Sequence, residues 1–338
     1  MFPIISRYFP EAGGYFPIFP GFFRQENGCP EGGEMAEVLT AAMREAFRNV
    51  IERAGELVLS AQRGEHALGV EAKSGSVNFV TEYDKAVQEL LEREFAALLP
   101  GAEFLAEEDP DGGACEAAAA EAADPELVKP GDGLTFVIDP IDGTTNFIKD
   151  YRVSTISVGL LYRGEPVWGG VLQPYTGEYF SALKGGGAYL ECGLCGRGGE
   201  RTVTRLSAGE KELDRSLIIF GTSPYYRSTL GRYSMAAATG LLMNAVDLRR
   251  SGSAALDLCT LAAGRADGFF ELRLSPWDYA AGGLILEEAG GVVTDIDNKK
   301  LPVRRGAASS VVAGNHINHS QILAIVRGAV PDGVLCAL

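Results

Sequence analysis

Histidine is scarce: His66, His316 and His319 are the three in 338 residues, and none falls inside the acidic motifs described below. A histidine nucleophile or a His-rich zinc site therefore has little support. The six cysteines (Cys29, Cys115, Cys192, Cys195, Cys259 and Cys336) are too thinly spread for a secreted disulfide scaffold, and reduced thiols are the simpler reading. Cys192 and Cys195 form one C-x-x-C, but with no second pair and no thioredoxin-like context they read as incidental neighbours in a loop. No apolar run approaches the roughly 20 residues of a membrane helix. Basic residues are outnumbered 30 to 45 by acidic ones, a net charge of −15. That balance argues against partners gripped through clustered Lys and Arg, whether nucleic acid or anionic lipid. There is neither a G-x-x-x-x-G-K-[ST] loop for nucleotide phosphates nor a G-x-S-x-G elbow for a serine hydrolase. The remaining class is a soluble, cytoplasmic, globular protein with no nucleic-acid or membrane partner.

The length suits two domains. Residues 1–34 are rich in Phe, Pro and Gly and lack the basic start and apolar core of a secretory signal, so they read as an irregular tail, dispensable for catalysis. Met35, itself a candidate start of translation, opens a helical pattern. Val38, Ala42, Ala46, Val50, Ala54, Val58 and Ala61 recur there at i+4 spacing. A second helix, from Asp84 to about Leu99, puts Val87, Leu91, Phe95 and Leu98 on one side and stops at Pro100-Gly101. The strand-like EFLA leads into Glu107-Glu108. An Ala- and Asp-rich stretch from Asp109 to Asp132, without periodicity, reads as a surface insertion. Leu134 to Asp139, VSTISVGLLY and PVWGGVLQP read as strands. Beyond about Thr202 the pattern becomes strand SLIIFG, a helix around Tyr233 to Val246, a helix from Ser253 to Ala263, and the helix WDYAAGGLILEEAGG ending at Gly290-Gly291 before VVTDI. The domain boundary is expected near residue 205, giving domains 35–205 and 206–330.

The most informative segment is DPIDGTT, Asp139 to Thr145. Its two carboxylates at the end of a buried strand offer hard oxygen ligands for Mg²⁺, and a helix starting near Gly143 and Thr144 would aim N–H groups at a phosphate. Alone, Asp142 and Thr144 equally fit a helix cap and Asp139 a strand end. Glu107 and Glu108 fit either a bridging carboxylate or a solvated acidic loop. Asp278 fits either a ligand or the N-cap of the helix that follows it. The opening DIDNKK at Asp295 looks like a calcium loop, yet Lys300 replaces the required glycine and Gly306 the bidentate Glu.

These three segments, Glu-Glu, Asp-Pro-Ile-Asp-Gly-Thr-Thr and Trp-Asp-x-Ala-Ala-Gly, occur in the order seen in the inositol monophosphatase family, which the chain resembles from about Glu37 to Val326. The resemblance implies a layered α/β (α+β) sandwich of the sugar-phosphatase type, with an antiparallel-sheet N-terminal domain, a smaller α/β C-terminal domain and the active site between them. It implies that Glu107, Asp139 and the Ile141 carbonyl hold one Mg²⁺, that Asp139, Asp142 and Asp278 hold a second, and that a third, weaker ion rests on Glu107. It matches Lys73 and Ser74 to the family's Lys-Ser, and makes Asp84 and Thr144 the pair that orients the attacking water. Asp142, Gly143, Thr144, Ser253, Ala254 and Glu271 become substrate contacts, with Glu271 on substrate hydroxyls. It further implies Li⁺ sensitivity and a homodimer. Phe136 stands where the family often has Trp and Ala106 where it has Gly. Arg273, two residues past Glu271, would admit a second anionic group. The expected reaction is hydrolysis of a phosphate monoester, foremost myo-inositol monophosphate. The alternatives are a fructose-1,6-bisphosphatase or broad sugar phosphatase, and an interaction protein with a vestigial site.

Overall fold

The computed structural model describes residues 39–62, 69–74, 78–109, 133–197 and 199–335. The expectations for the aromatic tail, Met35, Val38, the 110–132 stretch, His66, Cys29, Cys115 and Cys336 fall outside these residues, as do the side chains of Lys73 and Ser74.

The first helix, α1 (Ala41–Gln62), buries Met43, Phe47, Val50, Ile51, Ala54, Leu57, Val58 and Ala61. Ala42 is exposed and Ala46 half-buried, contrary to the expected stripe. Each i+4 step overshoots one turn by about 40°, so a strict i+4 series cannot stay on one face for five turns. Met43 and Phe47 take the core positions instead. After β1 (Glu71–Ser74) and β2 (Asn78–Val80) comes α2 (Glu82–Leu98), which starts on a capping box: Thr81 accepts from the Asp84 amide and Asp84 from the Thr81 amide. Val87, Leu91 and Phe95 face the core as expected, whereas Leu98 is 37% exposed and Leu99, where the chain leaves the helix, is buried in its place.

A seven-stranded sheet follows: β3 (Glu103–Ala106), β4 (Leu134–Asp142), β5 (Thr155–Tyr162), β6 (Glu165–Gln173), β7 (Glu178–Leu183), β8 (Gly187–Cys192) and β9 (Thr202–Arg205), hydrogen-bonded in that order. Helix α3 (Thr144–Ile148) interrupts it after β4. The sheet is antiparallel except that β3 runs parallel to β4. The second sheet contains β10 (Leu217–Phe220), β11 (Asp247–Arg249), β12 (Gly268–Leu274), β13 (Val292–Thr294) and β14 (Ser309–Gly314), in the order β11-β10-β12-β14-β13. Its helices are α4 (Arg227–Leu242), α5 (Ala254–Ala262), α6 (Pro276–Glu288) and α7 (His319–Ala329). Helix α4 ends before Val246, and the strand β11 that follows was not foreseen; three residues carry too little periodicity to show.

Alternation along the strands sorts these elements into layers. Phe136, Ile138, Val158 and Trp168 join Phe47 and Phe95 of α1 and α2. Val171, Phe180 and Ala188, on the other face of the sheet, join α5, α6 and the inner face of the second sheet through Phe269 and Val311. Phe270, Leu272 and Val312 face outward against α4 and α7. The result is an αβαβα sandwich whose middle helical layer, α5 and α6, touches both sheets. Phe95 stacks on Phe136 at 4.4 Å and Phe47 meets both edge-on, so the Phe136 ring fills its site with aromatic neighbours. Among the described residues no helix is long and apolar enough to cross a membrane.

Helix α6 lies unusually close to β6. A Cβ placed on Gly169 would sit 2.9 Å from the Ala281 carbonyl oxygen, so glycine sets this helix–sheet spacing. Gly169→Ala should therefore push α6 outward and destabilise the protein by roughly 1–3 kcal/mol in chemical denaturation. Unchanged stability would show that the spacing is set elsewhere.

Candidate metal centre

Asp139 and Asp142 sit at the end of β4, the strand buried on both faces. In a regular strand, residues i and i+3 point to opposite faces. Here Asp139 pairs with Ser157 and Asp142 with Thr155, so three steps on β4 oppose two on β5. The extra residue is a bulge that reverses side-chain parity and also accommodates Pro140, which has no N–H for the ladder. The bulge thus brings both carboxylates to the same side.

Asp278 arrives from the middle layer. It stands in the first turn of α6, where its Oδ2 accepts from the Ser275 amide at 2.6 Å in a capping box. Its carboxylate also joins those of Asp139 and Asp142, with one oxygen of each lying within 4.8 Å of the others. The N-cap expected at Asp278 is Ser275 instead; Asp278, at the third helical position, closes the capping box and joins the cluster with one side chain.

Each carboxylate is anchored by a local donor. The Ile141 amide donates to Asp139 Oδ1 at 3.0 Å. Ser253 Oγ and the Ala255 amide, at the start of α5, donate to Asp142 Oδ2 at 2.7 and 2.8 Å. The hydroxyl of Ser253 is thus engaged on a carboxylate within the site, with Ala254 beside it. Asp84 caps α2 with Oδ2, while its Oδ1 accepts from Thr144 Oγ1 at 3.4 Å. The predicted Asp84–Thr144 pair is therefore in place; Thr144 Oγ1 also lies 3.3 Å from the Ile141 carbonyl. Gly143, at φ 92°, precedes α3, and a Cβ there would lie 2.9 Å from the Gly252 carbonyl. Glu107 follows β3, its amide bonded to the Ile138 carbonyl at 3.1 Å. Its charge reaches Asp139, Asp142 and Asp278, although its carboxylate is outside the tightest group.

Burial, then the charges of Glu107, Asp142 and Asp278, push the Asp139 carboxyl well above the usual carboxylate range. Asp278 is raised by burial and by Asp142 and Glu107. Asp142 is pushed up to about 6 by burial, restrained by its bonds to Ser253 and Ala255. Crowded negative charge of this kind is what a bound divalent cation would relieve. The donors are all hard oxygens, which suit Mg²⁺.

Glu271, on β12, is buried and takes the Ser223 amide at 2.6 Å. Burial raises it to about 7, while the Ser223 bond and the charge of Arg250 pull it down. Arg273 lies with its guanidinium 4.7 Å over the Tyr226 ring, and its backbone is tied to Ser223 Oγ. The cation facing Glu271 by charge is Arg250, whose Nη2 reaches Thr222 Oγ1 at 3.5 Å. Arg250, Thr155, whose Oγ1 lies 3.5 Å from Asp142 Oδ2, and Tyr225 are neighbours of the site that the sequence did not mark. Tyr225 is 49% exposed, yet burial of its phenol and the charges of Glu107, Asp278, Asp139 and Asp142 raise the hydroxyl, so it lies within reach of the cluster's field. No motif announces these residues; only the fold collects them. Cys192 and Cys195 carry free thiols, and among the described residues no cysteine joins a group close enough to hold a metal.

Fold and site together define an αβαβα sandwich with a cluster of carboxylates that could hold a metal ion where β4 meets the middle helical layer. Residues 36–330 match the family model described as "Inositol monophosphatase family", and the chain belongs to that family. It is 33% identical over 301 residues to the Nus factor SuhB of Escherichia coli K12, covering 89% of this chain and 99% of that protein. It is also 33% identical over 260 residues to the inositol-1-monophosphatase of Rhizobium meliloti, covering 76% and 86%. Among solved structures, the Bartonella henselae extragenic suppressor protein suhB aligns with a TM-score of 0.69 at 27% identity, over 86% of this chain and all of that one. The Thermotoga maritima IMPase aligns with a TM-score of 0.67 at 26% identity, over 86% and 98%.

The raised carboxyls fix a pH dependence. Their folded pKa values lie above the unfolded ones, so the native state binds more protons and stability falls as pH rises from about 4 to about 7. In EDTA the protein should melt higher at pH 5.5 than at pH 8, and Mg²⁺ should raise Tm more at pH 8. A metal-free Tm that is equal or higher at pH 8 would contradict the uncompensated-charge account.

Proposed function

We propose that the protein is a Mg²⁺-dependent phosphatase that hydrolyses the phosphate monoester of a small polyol or sugar, with myo-inositol monophosphate as the best-fitting substrate. The observation that carries this reading is the convergence of Asp139, Asp142 and Asp278, from two different layers, to within 4.8 Å with their carboxyl pKa values raised. Magnitudes support a metal. Phosphate-monoester hydrolysis can require acceleration of up to about 10²¹, whereas one general acid or base supplies roughly 10² to 10⁴.

In this reading Glu107, Asp139 and the Ile141 carbonyl hold one Mg²⁺; Asp139, Asp142 and Asp278 hold a second; and Glu107 supports a weaker third. Bound Mg²⁺ supplies a lowered water pKa and charge neutralisation at the phosphoryl oxygens and leaving alkoxide. The chain's residues do the rest. Asp84 accepts from Thr144 Oγ1 and so sets the hydroxyl that orients the attacking water. Gly143 and Thr144, at the start of α3, place backbone amides where the phosphate binds. Ser253 and the Ala255 amide fix Asp142, Ala254 stands between them at the substrate side, and Glu271 takes hydrogen bonds from ring hydroxyls of the substrate. The bisphosphatase alternative calls on Arg273, two residues past Glu271, to admit a second anionic group; the Arg273 guanidinium lies over the Tyr226 ring, and Arg250 adds a further positive charge felt by Glu271. The vestigial-site alternative leaves the raised, clustered carboxyls without a purpose. A homodimer, Li⁺ sensitivity, a cytoplasmic location and a domain division near residue 205 belong to the same proposal. The Rhizobium relative's name supports the substrate, while the name Nus factor, borne by the Escherichia coli relative, belongs to that protein.

Activity on inositol monophosphate should require Mg²⁺, and Asp139→Asn or Asp142→Asn should abolish it while circular dichroism remains native, because a neutral amide is a poor ligand for a hard cation. Variant turnover within about tenfold of wild type would sink the assignment.

Glu271→Gln should lower kcat/KM for inositol phosphate by about tenfold to a hundredfold more than for a simple aryl phosphate, the value of a charged hydrogen bond to a hydroxyl. Equal losses on both substrates would instead make Glu271 a support for the loop that holds Ser223.

A further inference from the structure

The site's ligands come from elements far apart in sequence, and one short segment reaches two of them. Residues 302–305 lie in the connection between β13 and β14. At one end the Pro302 carbonyl accepts from Tyr279 Oη at 2.5 Å, and Tyr279 is the buried residue directly after Asp278. At the other end the Arg305 guanidinium forks: Nη1 donates to Asp109 Oδ2 at 3.0 Å and Nη2 to the Phe104 carbonyl at 2.9 Å. Asp109 and Phe104 flank Glu107 on either side.

The turn around Glu107 is tied down further. Asp109 Oδ2 lies 3.4 Å from the Ala106 amide, and Asp109 Oδ1 takes Gln88 Nε2 at 3.3 Å. Gln88 Oε1 accepts from the Glu108 amide at 2.9 Å. The backbone on both sides of Glu107 is thus fixed, by β4 through the Ile138 carbonyl and by α2 through Gln88, with Arg305 closing the arrangement from the second sheet.

We propose that residues 302–305 are a strap that fixes the spacing between Glu107 and Asp278, and that Arg305, braced with Asp109 and Gln88, is a positioning residue for cation binding. The proposal rests on the metal-site reading above. It deepens that reading by assigning residues that touch neither cation nor substrate.

The sign of the effect separates this role from plain electrostatics. Arg305 is a positive charge beside an acidic turn, so by Coulomb's law alone its removal should tighten cation binding. As a brace, its removal should weaken binding, because misplaced ligands cost affinity even where their charge is retained. A lysine cannot reproduce two diverging donors in one plane, so Arg305→Lys should rescue only partly. Arg304, the exposed neighbour, supplies the same charge without the fork and serves as the control.

The test is calorimetric titration of Mg²⁺ into the full chain for wild type, Arg305→Met, Gln88→Leu and Arg304→Met, at a temperature where circular dichroism shows each folded. Arg305→Met and Gln88→Leu should weaken Mg²⁺ binding by about tenfold or more. Arg304→Met should bind as tightly as wild type or tighter. Gln88→Leu changes no charge, so its loss measures the brace alone. If Arg305→Met and Gln88→Leu both bind Mg²⁺ as wild type does, the strap is overturned and the metal site stands. If wild type itself takes up no Mg²⁺ at millimolar concentration, the metal-site reading falls and the strap with it.

Discussion

Mutual repulsion among buried carboxylates is the constraint around which this molecule is organised. Two full charges 4.8 Å apart repel by about 3 kcal/mol at an effective dielectric of 20, and Asp139, Asp142 and Asp278 form three such pairs with Glu107 near by. Left to themselves the side chains would rotate apart into water. Each is prevented from doing so by a donor of its own: the Ile141 amide for Asp139, Ser253 and the Ala255 amide for Asp142, and the Ser275 amide for Asp278. Two of these donors are helix starts, where unsatisfied N–H groups and the helix dipole favour an anion. The capping that begins α6 and the bonding that begins α5 therefore serve folding and site construction together.

The layered architecture follows from the same requirement. A single sheet could supply Asp139 and Asp142 from β4, but Asp278 must reach them from outside, and the middle helical layer delivers it. That layer is buried between two sheets, so small residues carry the contact: Gly169 and Gly159 of the first sheet meet Ala281 and Ala280 of α6. Close packing there turns the helix into a fixed mount, because its backbone has no room to slide. The strap at 302–305 continues this logic on the opposite side of Asp278.

The rim of the site is built differently. Ser223, at a left-handed φ of 42°, is held by Glu271 and by the backbone of Arg273, and the turn after it carries Tyr225 within reach of the carboxylates' field. Arg250 acts on Glu271 by charge from the segment leading into α5. Rim residues of this kind stand on loops over a rigid scaffold, the arrangement in which recognition can vary without disturbing the carboxylate cluster. Family membership accordingly says more about the cluster than about its rim.

Sequence alone determined the parts whose chemistry is local. DPIDGTT carried its own turn, helix start and ligand types and the Trp-Asp segment its acidic first turn, so the acidic residues were legible, while the layered α/β class was implied by the family resemblance that these motifs carry. It went astray where geometry accumulates over distance: the drifting i+4 stripe of α1 left Ala42 exposed, and at the end of α2 Leu99 took the core position expected of Leu98. Tertiary structure alone decided that a bulge turns Asp139 and Asp142 the same way, that Asp278 closes a capping box and joins the cluster at once, and that Arg250 acts on Glu271 by charge while the Arg273 guanidinium lies over Tyr226. Motifs record which groups the chain owns. Hydrogen bonds between residues a hundred or more positions apart, such as Ser253 to Asp142 and Arg305 to Asp109, decide where those groups stand, and such pairings leave no periodic trace in the sequence.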